Sequence, residues 1–278
     1  MARVLRVATF NVNGIRAASR RGFDGWLAAR GCDVVGLQEV RCPADELPTA
    51  ALGDYRVTYF PGNLAGRNGV AILSRTPPTA VRTGFGSRTF DAEGRYLEAD
   101  LDLGPGRPAL TVGSLYLPKG GAPSQGPDEL RRYRRKLRFL ASFGRYLTRA
   151  RRAATAAGRE FVVMGDFNIA HAPLDVTNWR SSRQSAGFLP EERAWFDSIL
   201  GPRTLLDVVR RQHPDTPGPY SWWMWREPAF VADTGWRVDY QLATPGLARA
   251  AVRAGTDKEA RYADRISDHA PVVVDYEV

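Results

Sequence analysis

Cysteine is nearly absent: Cys32 and Cys42 are the only two among 278 residues. Two thiols are too few for a disulfide scaffold or a thiolate zinc site, and they read as free thiols of a reducing cytoplasm. No apolar run approaches the roughly 20 residues that a membrane-spanning helix needs. The first residues, MARVLRVATFNVNG, alternate like a strand and lack the long apolar stretch of a secretory signal. Low-complexity tracts and internal repeats are missing too. What is there, 44% hydrophobic and 25% charged residues with 27 Gly and 19 Pro, excludes a disordered, collagen-like or coiled-coil chain. A chain of this length buries a substantial core.

Negative charge is also in short supply, with 30 acidic residues against 39 basic ones and an isoelectric point near 9.9. Nearly all the cations are arginine, since lysine occurs only three times. The excess is concentrated: within 128–152, nine arginines and Lys136 face only Asp128 and Glu129. One reading is a solvated helix face over an inward stripe of Leu130, Tyr133, Leu137, Leu140 and Leu147 at helical spacing. The other is long-range attraction of nucleic acid. Charge alone does not decide between them.

Short alternating or β-branched runs recur at 4–10, 33–38, 55–60, 69–74, 95–102, 109–116, 161–165, 237–243 and 270–277, which predicts strands separated by Gly and Pro turns. Helical spacing predicts helices at about 23–30, 128–156 and 190–200. The last has Pro190 at its start and Glu191 and Glu192 in its first turn, as a helix N-terminus prefers. The Pro/Gly-rich stretch 118–127 is the best candidate boundary, yet strands on both sides read alike. One mixed α/β domain over 1–278, with two sheets and outer helices, is the economical reading.

Several of these strands end in polar residues of one chemical kind. Strand 4–10 runs into Asn11, Asn13 and Arg16; strand 33–38 into Gln38 and Glu39; strand 109–116 into Tyr116 and Lys119; strand 161–165 into Asp166 and Asn168. Asp239 and the Asp268-His269 pair follow later. Taken singly, each is most simply a turn residue, an Asx turn or a packed aromatic. Ends of neighbouring strands lie side by side, so together they predict one cleft. Its carboxylates, amides and imidazole suit a hard cation such as Mg²⁺ and the activation of water against a phosphate.

The ordered set FNVNGIRA, DVVGLQE, NGVAILS, SLYLPKG, VVMGDFNIAH, LDVTNW, GFLPEERAWFD, YSWW, GWRVDYQL and SDHAPV resembles the exonuclease III family of apurinic/apyrimidinic endonucleases, within the endonuclease/exonuclease/phosphatase superfamily. The resemblance covers essentially the whole chain. It implies a four-layer αββα sandwich of two mixed sheets packed face to face. It also implies Mg²⁺-dependent hydrolysis of DNA 5′ to abasic sites, leaving a 3′-hydroxyl, with 3′→5′ exonuclease and 3′-phosphatase or phosphodiesterase activity. Mn²⁺ is the expected substitute ion. Glu39 matches the principal metal carboxylate, with Asp268 and Asn11 beside the metal. Asp166 matches the group that orients or deprotonates the attacking water, and Asn168 an amide that holds it and contacts the phosphate. His269, paired with Asp239, matches the imidazole on a phosphate oxygen, and Tyr116 a phosphate contact. Whether Asp166 or His269 is the base stays open at this level.

By the same resemblance, Trp222, Trp236 and Val238 match an apolar pocket for a flipped abasic sugar. Arg16, Asn13 and Asn178 match DNA-contacting positions. Lys119 stands where relatives usually carry Asn or Gln, and Arg226 lies where relatives differ in the side chain they push toward the duplex. The implied partner is double-stranded DNA with abasic sites or blocked 3′ ends, bound by a cytoplasmic, nucleoid-associated monomer. A phosphoinositide or sphingolipid phosphodiesterase of the superfamily would share Glu39, Asp166 and His269 but has no need for GFLPEER. A non-catalytic DNA-binding relative would be free to lose several of the strand-end residues.

Overall fold

The computed structural model describes residues 4–64 and 66–278. The chain first lays down β1 (Val4–Asn11), β2 (Val34–Gln38), β3 (Arg56–Phe60) and β4 (Val70–Ser74). A second sheet follows from β5 (Ala80–Thr83), β6 (Tyr96–Leu101), β7 (Leu110–Tyr116), β8 (Glu160–Asp166), β9 (Leu206–Asp207) and β10 (Asp239–Ala243). Finally β11 (Ala251–Thr256) and β12 (Val272–Glu277) return to the first sheet. The orders are β11-β12-β1-β2-β4-β3 and β5-β6-β7-β8-β10-β9. The helices are α1 (Ile15–Arg20), α2 (Phe23–Arg30), α3 (Pro127–Ala156), α4 (Pro190–Ile199), α5 (Val208–Gln212), α6 (Glu227–Val231) and α7 (Pro245–Arg249).

Strand alternation separates three apolar layers. Leu5, Val7, Val34, Val70, Ile72, Val272 and Val274 meet Leu97, Val112, Val162 and Met164 between the sheets. The opposite rows, Ala8, Phe10, Val35 and Leu37, pack against Ile15, Ala18, Phe23 and Leu27 of α1 and α2. Leu115, Phe161, Val163 and Tyr240 pack against α3 and against Phe196 of α4. The four-layer sandwich implied by the resemblance is therefore present. Both sheets bury both faces, which explains strands that read as continuous apolar runs.

The sequence missed β5, β9 and β11 and the short helices α1 and α5 to α7. Each is at most six residues long, and their order comes from neighbours, not from local period. Helix α3 covers the predicted 128–156, but its inner face is a correction. Lys136, Phe139, Leu140, Phe143, Leu147 and Ala154 are buried, while Leu130, Tyr133 and Leu137 are only half-buried. Phe139 and Phe143 set the helix rotation by packing edge-on against Phe85, with centroids 5.0 and 5.4 Å away. Lys136, counted with the solvated cations, lies wholly inside.

Cys32 and Cys42 are free and buried. Burial pushes both thiols up, so neither is a ready nucleophile. Among the described residues no helix is long and apolar enough to cross a membrane.

Candidate active site

The cleft forms where the inward rows of the strands turn from apolar to polar. Asn11 continues the row of Leu5 and Val7, and Gln38 that of Val34. Asp166 follows Val162 and Met164, and Tyr116 follows Leu110 and Val112. The register aligns these ends: Asn11 lies opposite Gln38, Tyr116 opposite Asp166, and Asp239 opposite Asp166. Just beneath, Thr9 donates to Gln38 at 3.2 Å and Gln38 to Ser114 at 3.0 Å, which ties the sheets together under the site. Gly165 has φ +140, and a Cβ there would lie 2.0 Å from the Leu115 carbonyl oxygen. Only glycine lets β7 and β8 approach this closely next to Asp166.

The side chains form one network. Asn11 Nδ2 donates to Glu39 Oε1 at 2.8 Å and to Asp166 Oδ2 at 2.9 Å, while its Oδ1 accepts from the Asn13 amide at 3.1 Å. In this orientation Asn11 is a bridge, with its oxygen already engaged. Asn168 donates its backbone N–H to Asp166 Oδ1 at 2.8 Å and its Nδ2 to Asp166 Oδ2 at 3.0 Å. Asp239 Oδ2 accepts from His269 Nδ1 at 2.8 Å. The His269 Nε2 to Asp166 Oδ2 distance is 3.9 Å, too long for a hydrogen bond. Asn13, Glu39 and Asn168 have φ of 47°, 50° and 49°, left-handed conformations that concentrate at functional sites.

Asp268 lies apart from Glu39 in hydrogen-bonding terms: it accepts from Asn13 Nδ2 at 2.7 Å and from Trp222 Nε1 at 3.1 Å. The ligand-capable atoms of Glu39, Asp166 and His269 lie within 4.8 Å of one another. Asp239 Oδ1 is buried without a hydrogen-bond partner. A concentration of carboxylates this dense, mostly oxygen in its donors, fits a hard divalent cation.

Burial, with Asp239 and Glu39 as negative neighbours, pushes the Asp166 carboxyl up to about 7 against the pull of His269. Burial alone would push the His269 imidazole down; the Asp239 carboxylate, with Asp166 and Asp268 nearby, outweighs it and lifts it to about 10. Asp268 moves the other way, since His269 and the bonds from Trp222 and Asn13 overcome its burial. Burial beside Glu39 and Asp166 raises the Tyr116 phenol well above its usual range, so it stays a neutral donor. A cation entering this site must displace the proton that Asp166 holds below about pH 7. Apparent affinity for a divalent cation is therefore expected to climb as pH rises toward 7 and to level off above it. Calorimetric titration from pH 5.5 to 8.5 measures this, and a flat profile would contradict the shift.

The tryptophans divide by role. Trp222 and Trp236 pair through backbone bonds of 2.9 Å in both directions, both half-exposed with buried Val238 close by in sequence. Trp236 packs with Ala170, Val176 and Phe188. Arg237, buried to 1% exposure, holds this segment by donating to Asp175 at 2.7 Å and to Asp207 at 3.1 and 2.8 Å. Trp223 is core, donating to Asp233 at 3.0 Å against Phe230. Arg16, Lys119, Asn178 and Arg226 are exposed, and among the described residues no side-chain hydrogen bond joins them to the cluster. Arg16 pairs with Glu46.

Sequence reasoning missed several supporting groups. Arg41 pairs with Glu39 from two residues away. Ser221 Oγ accepts from the amides of Val238 and Asp239 at 3.1 and 3.0 Å. Ser267 donates to the Asn11 carbonyl at 2.7 Å. Both serines sit inside the YSWW and SDHAPV motifs, which was the available signal.

The profile of the endonuclease/exonuclease/phosphatase family matches residues 8–269. Exodeoxyribonuclease III of Haemophilus influenzae is 28% identical over 278 residues, spanning 98% of this chain and 100% of that protein. The DNA repair nuclease APEX1 of Danio rerio is 30% identical over 274 residues, spanning 97% of this chain and 81% of that protein. An AP endonuclease from Archaeoglobus fulgidus superposes with a TM-score of 0.85 at 30% identity, covering 99% of this chain and 100% of that one. A 3′ phosphatase from Neisseria, solved with a product DNA hairpin, gives a TM-score of 0.83 at 27% identity over 99% of this chain and 100% of that one. A match that runs from Ala8 in the first strand to His269 in the cleft itself leaves one conclusion: the chain belongs to the endonuclease/exonuclease/phosphatase family, as a nuclease of its exonuclease III and AP endonuclease branch.

Proposed function

We propose that the protein hydrolyses the DNA backbone 5′ to abasic sites in a Mg²⁺-dependent reaction, with 3′→5′ exonuclease and 3′-phosphatase activity at the same centre. The observation that carries this reading is the buried Asn11–Glu39–Asp166–His269–Asp239 network at the end of the double sheet. Asp166 takes the proton of the attacking water at a carboxylate oxygen. Without a cation its affinity for a proton is raised to about 7; with a cation beside it the carboxylate is the form present at neutral pH, oriented to accept a proton. His269, held protonated by Asp239, is a poor base. Its Nε2–H instead donates to a phosphate oxygen and offsets the charge that develops there. Tyr116 offers its phenolic O–H to the phosphate, and Asn168 keeps both Asp166 oxygens oriented. Water adds to phosphorus as the bond to O3′ of the preceding nucleotide breaks, and that oxygen leaves as an alkoxide that takes a proton from solvent to become the 3′-hydroxyl. A divalent cation at Glu39, with Asp166 and His269 close by, would supply Lewis-acid neutralisation of the phosphate charge.

Substrate choice rests on Trp222, Trp236 and Val238 as walls for an extruded sugar that carries no base, which costs least to flip. Incubating end-labelled duplexes, one intact and one with an abasic site, with and without a chelator tests the reading. Metal-dependent nicking at the abasic position supports it; cleavage of a soluble inositol phosphate in its place would overturn it.

The basic face of α3 adds an electrostatic expectation. Arg134, Arg138, Arg145, Arg149 and Arg152 are exposed, whereas Arg131, Arg132 and Arg135 are paired with Asp128, Glu129 and Glu93. Reversing Arg134, Arg138 and Arg145 to Glu should slow association with DNA at low salt, with little effect once the screening length shortens to about 8 Å near physiological salt. Single-turnover cleavage at saturating enzyme should not change. A large fall there would place the helix in direct contact with the DNA.

A further inference from the structure

Among the described residues Lys136 is the only fully buried lysine, at 0% exposure, and nothing in the chemistry above uses it. Its ammonium donates to the Asn168 carbonyl at 2.8 Å and to the Lys119 carbonyl at 3.1 Å, and it forms an ion pair with the Glu192 carboxylate at 2.7 Å, whose Oε1 has no hydrogen-bond partner of its own. These belong to three separate segments, the loop after β7, the loop after β8 and the first turn of α4. The other Glu192 oxygen accepts from the Leu189 amide at 3.0 Å, so the start of α4 is fastened to the same point.

A buried ion pair is seldom more stabilising than well-packed apolar residues of similar volume. What the ammonium does that a methyl group cannot is grip two carbonyl oxygens. The surroundings are shaped around it. Gly120 has φ +82, and a Cβ there would lie 2.6 Å from Lys136 Cδ; a Cβ on Gly187 would lie 3.0 Å from the Asn168 carbonyl oxygen. The gripped residue is the one that matters for chemistry, because left-handed Asn168 bonds both Asp166 oxygens.

We propose that Lys136, with Glu192 as its counter-ion, is a positioning residue for the nuclease reaction: it fixes the Asn168 peptide so that Asn168 keeps Asp166 aimed. Lys136 touches neither the reacting atoms nor the substrate. The inference deepens the proposed function and rests on its assignment of Asp166.

Lys136→Met alone leaves Glu192 buried without a partner and mixes folding with positioning. The Lys136→Met/Glu192→Leu double variant removes both charges and keeps the volume apolar, so its Tm should return close to that of the wild type. Its Kd for duplex should also be unchanged. Its single-turnover rate, corrected by active-site titration, should remain roughly ten- to a hundredfold low, the scale of a misplaced catalytic group. Recovery of both Tm and rate would overturn the proposal and leave a purely structural pair. Should the double variant fail to fold, Glu192→Gln decides: it removes the ion pair and leaves the ammonium on both carbonyls. A near wild-type rate in Glu192→Gln supports positioning through the carbonyls, and a loss of about tenfold or more overturns it. Both abasic cleavage and 3′ resection of intact duplex are followed. Failure of the wild type on abasic DNA would count against the proposed function, while the positioning role is scored on whichever duplex the wild type cuts.

Discussion

Asp166→Asn should bind abasic duplex as tightly as the wild type and cleave it roughly 10²–10⁴-fold more slowly, the range that a positioned acid or base contributes. The substitution keeps the shape of the side chain but removes the proton acceptor. It also sets an amide against Asn11 and Asn168, which both donate to the oxygens it replaces. Stability should not collapse, because Asp166 is itself a buried carboxyl held beside Asp239 and Glu39, and losing its charge relieves repulsion. Glu39→Gln provides the contrast. Its defect lies in cation affinity, so added Mg²⁺ should restore part of the rate, whereas no concentration should rescue Asp166→Asn. Single-turnover rates across a Mg²⁺ series, with Kd from an uncleaved duplex, separate the two. A near wild-type rate in Asp166→Asn would remove it from the chemistry.

The second large effect concerns selectivity. Aromatic contacts in nucleic-acid sites are worth roughly 1–3 kcal/mol by alanine substitution, so Trp236→Ala should slow abasic cleavage by about ten- to a hundredfold. A wall that grips a bare sugar also excludes a nucleotide that still carries its base. Exonuclease activity on intact ends should therefore fall less, or rise. Trp236 is the cleaner probe of the two tryptophans. The Trp222 indole donates to Asp268 at 3.1 Å, so its loss would also disturb a carboxylate beside His269. Trp223 supplies the control for packing, being core at 1% exposure; Trp223→Phe should depress both activities together through the folded fraction. The measurement is the ratio of abasic to exonuclease rates on matched duplexes after active-site titration. An unchanged ratio in Trp236→Ala would contradict the pocket.

Much of the site was legible from residue order. Asn11, Gln38, Tyr116 and Asp166 each end a run of apolar alternation, and an inward polar residue at a strand end needs a partner, whether a neighbouring polar group, water or a ligand. Once β1, β2, β7 and β8 are read as strands, pairing sets Asn11 beside Gln38 and Tyr116 beside Asp166, and packing of the two sheets brings these pairs together. The free state of Cys32 and Cys42 and the start of α4 at Pro190 were equally local. Pattern failed where order is borrowed: the two residues of β9 and the four of β5 have no period of their own and exist because β10 and β6 hold them.

Tertiary structure alone decided the rest, because charge and burial are properties of neighbours. Lys136 sits in a run of arginines that composition reads as one solvated face, yet helix rotation set by Phe139 and Phe143 carries it under Asn168 and against Glu192. Asp239 and His269 lie 30 residues apart and meet at 2.8 Å; Asn11 and Asp166 lie 155 apart and meet at 2.9 Å. By itself the sequence determined which chemical groups the cleft would contain. Which of them holds a proton near neutral pH was decided by the fold, since only packing places Asp166 among Asp239, Glu39 and a protonated His269, away from the water that would otherwise keep its carboxylate charged.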